Sequence, residues 1–195
     1  GSWLAEYLLT NNSSVTGLAL NHELDFLINS KKISNEMEIH YFDIANEEQL
    51  KKVFNNKYDL VIHLAAQTQV KEAITDPIFT FKSNIQGTWN ILDQCRLNSL
   101  PVIVASSDKA YGESDVLPYK ENFRLNGTFP YEVSKSATDL LCKTYRTTYN
   151  LNVATLRCGN IYGGGDLNWD RLIPGVIKGL INNEKPILRT NGTFK

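Results

Sequence analysis

The chain reads as an α/β protein built on a doubly wound parallel sheet. Two observations predict this. Short apolar strands alternate with helical stretches along its length. The inner strands, Asp59–Leu64 and Val102–Ala105, are short and apolar, as expected when helices cover both faces of a parallel sheet.

The elements follow in order. Residues 2–10 are expected to be helical, with Trp3, Leu4, Tyr7 and Leu8 at helical spacing. Val15–Leu20 is a short apolar strand, and Glu38–Phe42 a second one ending at Asp43. Residues 46–55 form a helix, with Asn46 as N-cap and Glu47 and Glu48 in the first turn, where the helix dipole favours acids. After the strand Asp59–Leu64, a long helix follows Pro77 to about residue 98. Then come the strand Val102–Ala105, a helix over 130–149, the strand Val153–Arg157 and a last helix after Pro174. Ligands of such sheets sit at the carboxyl ends of the strands. Those ends are Leu20-Asn21, Asp43-Ile44, Leu64 to Thr68, Ser106 to Lys109, and Gly159 to Gly165. All but the first are rich in small or polar residues.

Bulk properties narrow the function. The 195 residues suffice for one domain with a real core, and 42% hydrophobic with 21% charged residues is ordinary for a globular protein. A net charge of −1 gives no field to draw nucleic acid or an anionic membrane, so neither is expected as a partner. No apolar run approaches the roughly 18 residues of a membrane span. Cys95, Cys142 and Cys158 form no CxxC and no metal-ligand spacing, so no metal is expected and a cytoplasmic location is.

The ends look cut. A fold of this kind opens with a strand and a glycine-rich turn, whose glycines let backbone amides approach a pyrophosphate. Here Gly1 is expected to be the last of those glycines, leading straight into a helix; the alternative is that Gly1-Ser2 is a cloning remnant.

Tyr131 and Lys135 form Tyr-x-x-x-Lys, which on a helix places both side chains on one face, one turn apart. An ammonium beside a phenol favours the phenolate and makes the tyrosine a usable acid/base for a hydroxyl. Alone the pair is weak, since chance supplies about 0.65 such pairs in a chain of this composition. Its context is stronger. The pair opens a helix just after Pro130 and follows a strand that ends Ser106-Ser107-Asp108-Lys109-Ala110-Tyr111-Gly112. A serine there can hydrogen-bond the same substrate oxygen as Tyr131. Taken alone, Asp108-Lys109 is a solvated turn.

Three motifs in register, Ser-Ser-Asp-Lys-x-Tyr-Gly, Pro-Tyr-x-x-Ser-Lys and Arg-x-Gly-Asn-x-Tyr-Gly, resemble the extended short-chain dehydrogenase/reductase family. His63-Leu64-Ala65-Ala66-Gln67 is similar to its fourth-strand cofactor motif, and Ser83-Asn84-Ile85-x-Gly87-Thr88 to the helix that follows. Within the family the likeness is nearest to nucleotide-sugar 4,6-dehydratases. It is carried by Gly1-Ser2-Trp3-Leu4, Asp108-Lys109, Gly163 to Asp166, and Asp170 to Pro174.

The resemblance implies a Rossmann-like domain binding NAD over residues 1–165 and the beginning of a substrate-binding region over 166–195. It implies a nucleotide-linked hexose as substrate. Tyr131, helped by Lys135 and Ser107, takes the C4 hydroxyl proton while hydride leaves C4 for NAD. Lys109, if desolvated, removes the C5 proton. Asp108, held protonated, gives its proton to the departing C6 hydroxyl, and hydride returns to C6. The cofactor is expected along Gly1, Asn21, Asp43, Ile44, Leu64, Ala65, Ala66, Gln67, Ser83, Tyr131 and Lys135. Thr68, Asn160 and Arg171 are expected to face substrate. Without the first strand and most of the substrate region, the chain is expected to be inactive by itself.

Several of these readings have plain alternatives. Asp43-Ile44 either flanks an adenine or is a strand-end turn. Asn160 suits a turn for its backbone tolerance, and Arg171 meets a diphosphate or is simply exposed. His63 reads as a core histidine. Trp89 belongs either to the core or to the contact of a homodimer. Asn21 stands where NAD enzymes usually place an acid for the adenosine ribose, which loosens the case against NADP; no nearby arginine awaits a 2′-phosphate, so NAD stays favoured. Two rival functions remain open: a UDP-sugar 4-epimerase, which needs no Asp-Lys pair because no water leaves, and a silent nucleotide-binding protein.

Overall fold

The structure, a computed structural model, describes residues 1–21, 33–54 and 58–186. Helix α1 (Ser2–Thr10) leads to β1 (Thr16–Ala19), β2 (Glu38–Tyr41), α2 (Glu47–Val53) and β3 (Val61–His63). Helices α3 (Val70–Thr75), α4 (Pro77–Phe81) and α5 (Gly87–Leu97) precede β4 (Val102–Ala105). Then come α6 (Pro130–Tyr149), β5 (Val153–Leu156) and α7 (Leu172–Ile181).

Every strand pair among the described residues is parallel. One ladder is β1-β2, with Thr16 opposite Glu38; the other is β3-β4-β5, with Val102 between Val61 and Val153. Among the described residues the two ladders share no strand pairing. The crossovers from β3 to β4 and from β4 to β5 run through helices, as parallel neighbours require.

The core sits around β4. Val102 and Val104 are fully buried with Leu92 and Cys95 of α5, Leu50 of α2 and Cys142 of α6, and Val153 of β5 packs in the same cluster. Each such aliphatic side chain contributes roughly 1.5–3 kcal/mol. The helix ends follow local chemistry. Asn46 accepts from the Gln49 amide to cap α2, and Asp76 accepts from the Phe79 amide to cap α4. Pro130 occupies the first turn of α6, where its missing N–H costs nothing, and Asn150 ends that helix in the left-handed conformation.

The structure departs from the sequence reading in four places. The long helix after Pro77 is interrupted by a π-helical segment, Lys82–Gln86. The extra helix α3 precedes it. The turn after β4 is a 3-10 helix, Asp108–Tyr111. Helix α7 begins at Leu172, ahead of Pro174, because a proline is tolerated in a first turn whose amides need no intrahelical acceptor. The expected end of α2 at residue 55 lies outside the described residues.

The chain forms two compact units, Gly1–Ser114 with Pro118–Gly159, and Asp115–Leu117 with Asn160–Lys195. The first holds both ladders. The second holds α7, with the Lys178 ammonium 5.4 Å from the Trp169 ring centroid.

Candidate active site

The carboxyl end of β4 organises the site. After Ala105, the Ser106 amide donates to the Leu156 carbonyl at 2.8 Å, which continues the pairing with β5. Ser107 then turns the chain. Its backbone is extended, its Oγ accepts from the Lys109 amide at 3.2 Å, and its hydroxyl donates to Asp108 Oδ1 at 3.0 Å. The Asp108 amide donates to the Cys158 carbonyl at 3.0 Å. The 3-10 turn closes at Gly112, whose φ of +69° and contact with the Asn126 carbonyl leave no room for a side chain.

Helix α6 packs beside this turn. Ser136 donates to the Ala110 carbonyl at 2.8 Å, anchoring the turn to the helix. Tyr131 and Lys135 lie in the first two turns of α6 and are only 9% and 5% exposed. The Lys135 ammonium donates to the Ala105 carbonyl at 3.0 Å, so the strand end holds it. Burial pushes Lys135 down to about 8; the neighbouring Cys158, Asp139 and Cys142 oppose that more weakly. The expected grouping of Ser107, Asp108 and Lys109 with the Tyr131–Lys135 helix is therefore present in one compact unit. Asp108 is half-buried, whereas Lys109 is exposed. The desolvation that the sequence reading asks of Lys109 is absent, because its place in the one-turn helix leaves it in solvent. The Ser107 hydroxyl is engaged by Asp108.

The β3 end supplies a second cluster. Gln67 and Asn84 are 6% and 1% exposed. Asn84 Oδ1 accepts from the Gln67 amide at 2.7 Å, while its Nδ2 donates to the Gln67 carbonyl and to Ser134 Oγ, each at 2.9 Å. The π-helical segment carries Asn84, and its main-chain carbonyl accepts from the hydroxyls of Thr88 and Thr138. Asn84 thus ties the strand end to α6 next to Lys135. Gln67 Nε2 donates to the Gln69 carbonyl and to Glu72, which leaves Oε1 buried without a partner among the described residues. His63 bonds Thr88 Oγ1 at 3.0 Å, and burial followed by the Lys135 charge pushes it down to about 4, as suits a core histidine.

Ser83 is half-buried in the π segment, Leu64, Ala65 and Thr68 are exposed, and Ala66 is half-buried. Asp43 accepts from the Ala45 amide at 2.9 Å and closes the turn after β2. Ile44 is buried against Gly87, and its carbonyl accepts from Asn90 at 3.0 Å. Gly1 is the N-cap residue of α1, and Asn21 is exposed just beyond β1. Asn160 and Arg171 belong to the second unit, where Arg171 pairs with Asp166 at 3.1 Å. Three residues that brace this region carry no such signal in the sequence. Asn84 was visible inside its motif but has no signal separating it from a helix-surface asparagine. Asp139 and Arg157 are 18 residues apart and meet only through folding.

A parallel sheet with Tyr-x-x-x-Lys on a helix packed beside a serine-led strand end is the arrangement of a short-chain dehydrogenase/reductase. The family model for GDP-mannose 4,6 dehydratase matches residues 1–193, and the chain belongs to that family. It is 32% identical, over 97% of its length, to the CDP-glucose 4,6-dehydratase of Salmonella typhimurium, and spans 56% of that protein. It is 30% identical, over 98% of its length, to a putative UDP-glucose 4-epimerase of Methanocaldococcus jannaschii, of which it spans 63%. A dTDP-glucose 4,6-dehydratase from Streptomyces venezuelae, solved with NAD, superposes with a TM-score of 0.85 at 25% identity, covering 98% of this chain and 62% of that one.

Proposed function

We propose that this chain serves an NAD-dependent nucleotide-sugar 4,6-dehydratase that acts on a nucleotide-linked hexose, with CDP-glucose the first candidate. The observation that carries the reading is the turn Ser107-Asp108-Lys109, anchored beside the buried Tyr131 and Lys135. NAD fits the residues present. The strand-end stretch expected to line it holds a buried, unpartnered acceptor at Gln67 Oε1, and α1 begins with amides that no side chain caps. Tyr131, Lys135, Gln67 and the start of α1 would hold it. When bound, NAD supplies the acceptor for the C4 hydride and its return to C6.

The chain's own groups move the protons. Tyr131 takes the C4 hydroxyl proton, with the Lys135 ammonium stabilising its phenolate. Lys109 removes the C5 proton once substrate covers it and returns a proton to C5 after water has left. Asp108 gives a proton to the departing C6 hydroxyl, and the Ser107 hydroxyl that bonds Asp108 orients it.

A 4-epimerase is the second reading. It is favoured by the exposure of Lys109 and by the epimerase among the relatives, since epimerisation needs Tyr131 and Lys135 but no base at C5. Product analysis of the full-length protein with CDP-glucose decides between them. A 4-keto-6-deoxy sugar supports the dehydratase, and a C4 epimer supports the rival. A homodimer is proposed as well, because Trp89 of α5 is 43% exposed and so is not a core residue. Sedimentation velocity of the full-length protein tests it.

A further inference from the structure

The Arg157 guanidinium lies at the end of β5 and makes a fork. Its Nε and Nη2 donate to Asp139, with Nη2 2.8 Å from Oδ1 and Nε 3.1 Å from each carboxylate oxygen. Its Nη1 donates to the Tyr111 hydroxyl at 2.9 Å and to the Glu121 carbonyl at 2.8 Å. Asp139 is 5% exposed and stands one helical turn beyond Lys135, on the face that carries Tyr131 and Lys135. Tyr111 is the last residue of the turn that carries Asp108 and Lys109. Its ring stacks on Tyr119 at 4.9 Å, and Tyr119 donates to the Gly112 carbonyl. The next residue, Cys158, holds the other end of the turn through the Asp108 amide. Two consecutive residues after β5 therefore grip both ends of the turn, and one of them also grips the helix.

We propose that Arg157 is a positioning residue that sets the register of the Asp108-Lys109 turn against the Tyr131-Lys135 helix. This deepens the dehydratase reading and rests on it. Oxidation at C4 uses Tyr131 and Lys135 of the helix with Ser107 at the head of the turn, and needs neither Asp108 nor Lys109. Water loss across C5 and C6 uses turn and helix together, so loosening the Arg157–Tyr111 link slows the second step selectively. A planar fork suits this role, since lysine cannot bond a carboxylate and a phenol with the same rigidity.

Tyr111→Phe in the full-length protein is the test. It removes one hydroxyl and leaves the ring stack and the Arg157–Asp139 pair in place. Arg157→Met is the harsher variant, because it strands a buried carboxylate and endangers the fold. With CDP-glucose, Tyr111→Phe is expected to slow dehydration about tenfold while C4 oxidation changes less than about twofold. The reduced nicotinamide signal then accumulates during turnover. Independently of activity, amide hydrogen exchange at Asp108 to Gly112 should rise while that of α6 stays unchanged. Equal loss in both steps, or unchanged exchange in the turn, overturns the proposal. Wild-type protein that yields a C4 epimer sinks the dehydratase reading and this inference with it. Wild-type dehydration with a proportional loss in Tyr111→Phe sinks the inference alone.

Discussion

Helix α6 and the Asp108–Tyr111 turn are neighbours, yet the fold treats them differently. Tyr131 and Lys135 are buried, and the β4 end fixes the lysine through the Ala105 carbonyl. Asp108 and Lys109 have backbones fixed at both ends of the turn, but water reaches Asp108 in part and Lys109 freely. Tyr131 and Lys135 are held in a buried setting, whereas Asp108 and Lys109 are left open to water. The difference suits the proposed chemistry, in which a phenolate needs a fixed cation beside it, whereas a base at C5 needs only to be covered when substrate arrives.

Replacing the helix residue breaks everything. Tyr131→Phe should lower both C4 oxidation and dehydration by about a thousandfold, measured by single-turnover reduction of NAD. Replacing the turn residue separates the steps. Asp108→Asn should leave C4 oxidation near normal and slow water loss about a hundredfold, measured by product formation against transient cofactor reduction. Full-rate dehydration in that variant would remove Asp108 from the reaction.

Lys135 probes the cost of burial. Its folded value of about 8 lies below the ordinary 10.5, so between those values the unfolded chain binds the extra proton and stability rises with pH. The penalty of a buried ammonium is fully present below about pH 8. Lys135→Met should therefore abolish activity yet raise the melting midpoint at pH 7 by a few degrees, by scanning calorimetry. In the wild type, activity that depends on the ammonium should decline above about pH 8.

Asn84→Ala should cost about 2–3 kcal/mol in denaturant unfolding, because it strands the buried groups of Gln67. At neutral pH His63 should give the smallest effect. Its folded value of about 4 lies below 6.5, so stability falls as pH drops from 6.5 toward 4, and His63→Gln should flatten that limb.

Much of the architecture was legible. The strand Val102–Ala105 and the helix 130–149 stand where the sequence puts them, because an unbroken apolar run and Pro130 are local signals. The π segment was not legible, since it exists with Asn84 reaching across to Gln67 and Ser134, partners 17 and 50 residues away. The 3-10 turn is too short for any periodicity to reveal. The sequence allows candidate site residues to be named, but not their environment. Tyr131 and Lys135 are named by spacing and Ser107 by its place at a strand end, while Asp108 and Lys109 take their roles from the family resemblance; the burial that separates Lys135 from Lys109 is a property of the packed chain.

The most direct measurement is turnover of CDP-glucose by the full-length protein in heavy water. A base at C5 exchanges that hydrogen with solvent, so the expected product is a 4-keto-6-deoxy sugar carrying deuterium at C5. A C4 epimer without deuterium at C5 would contradict the assignment of the Asp108-Lys109 turn to dehydration.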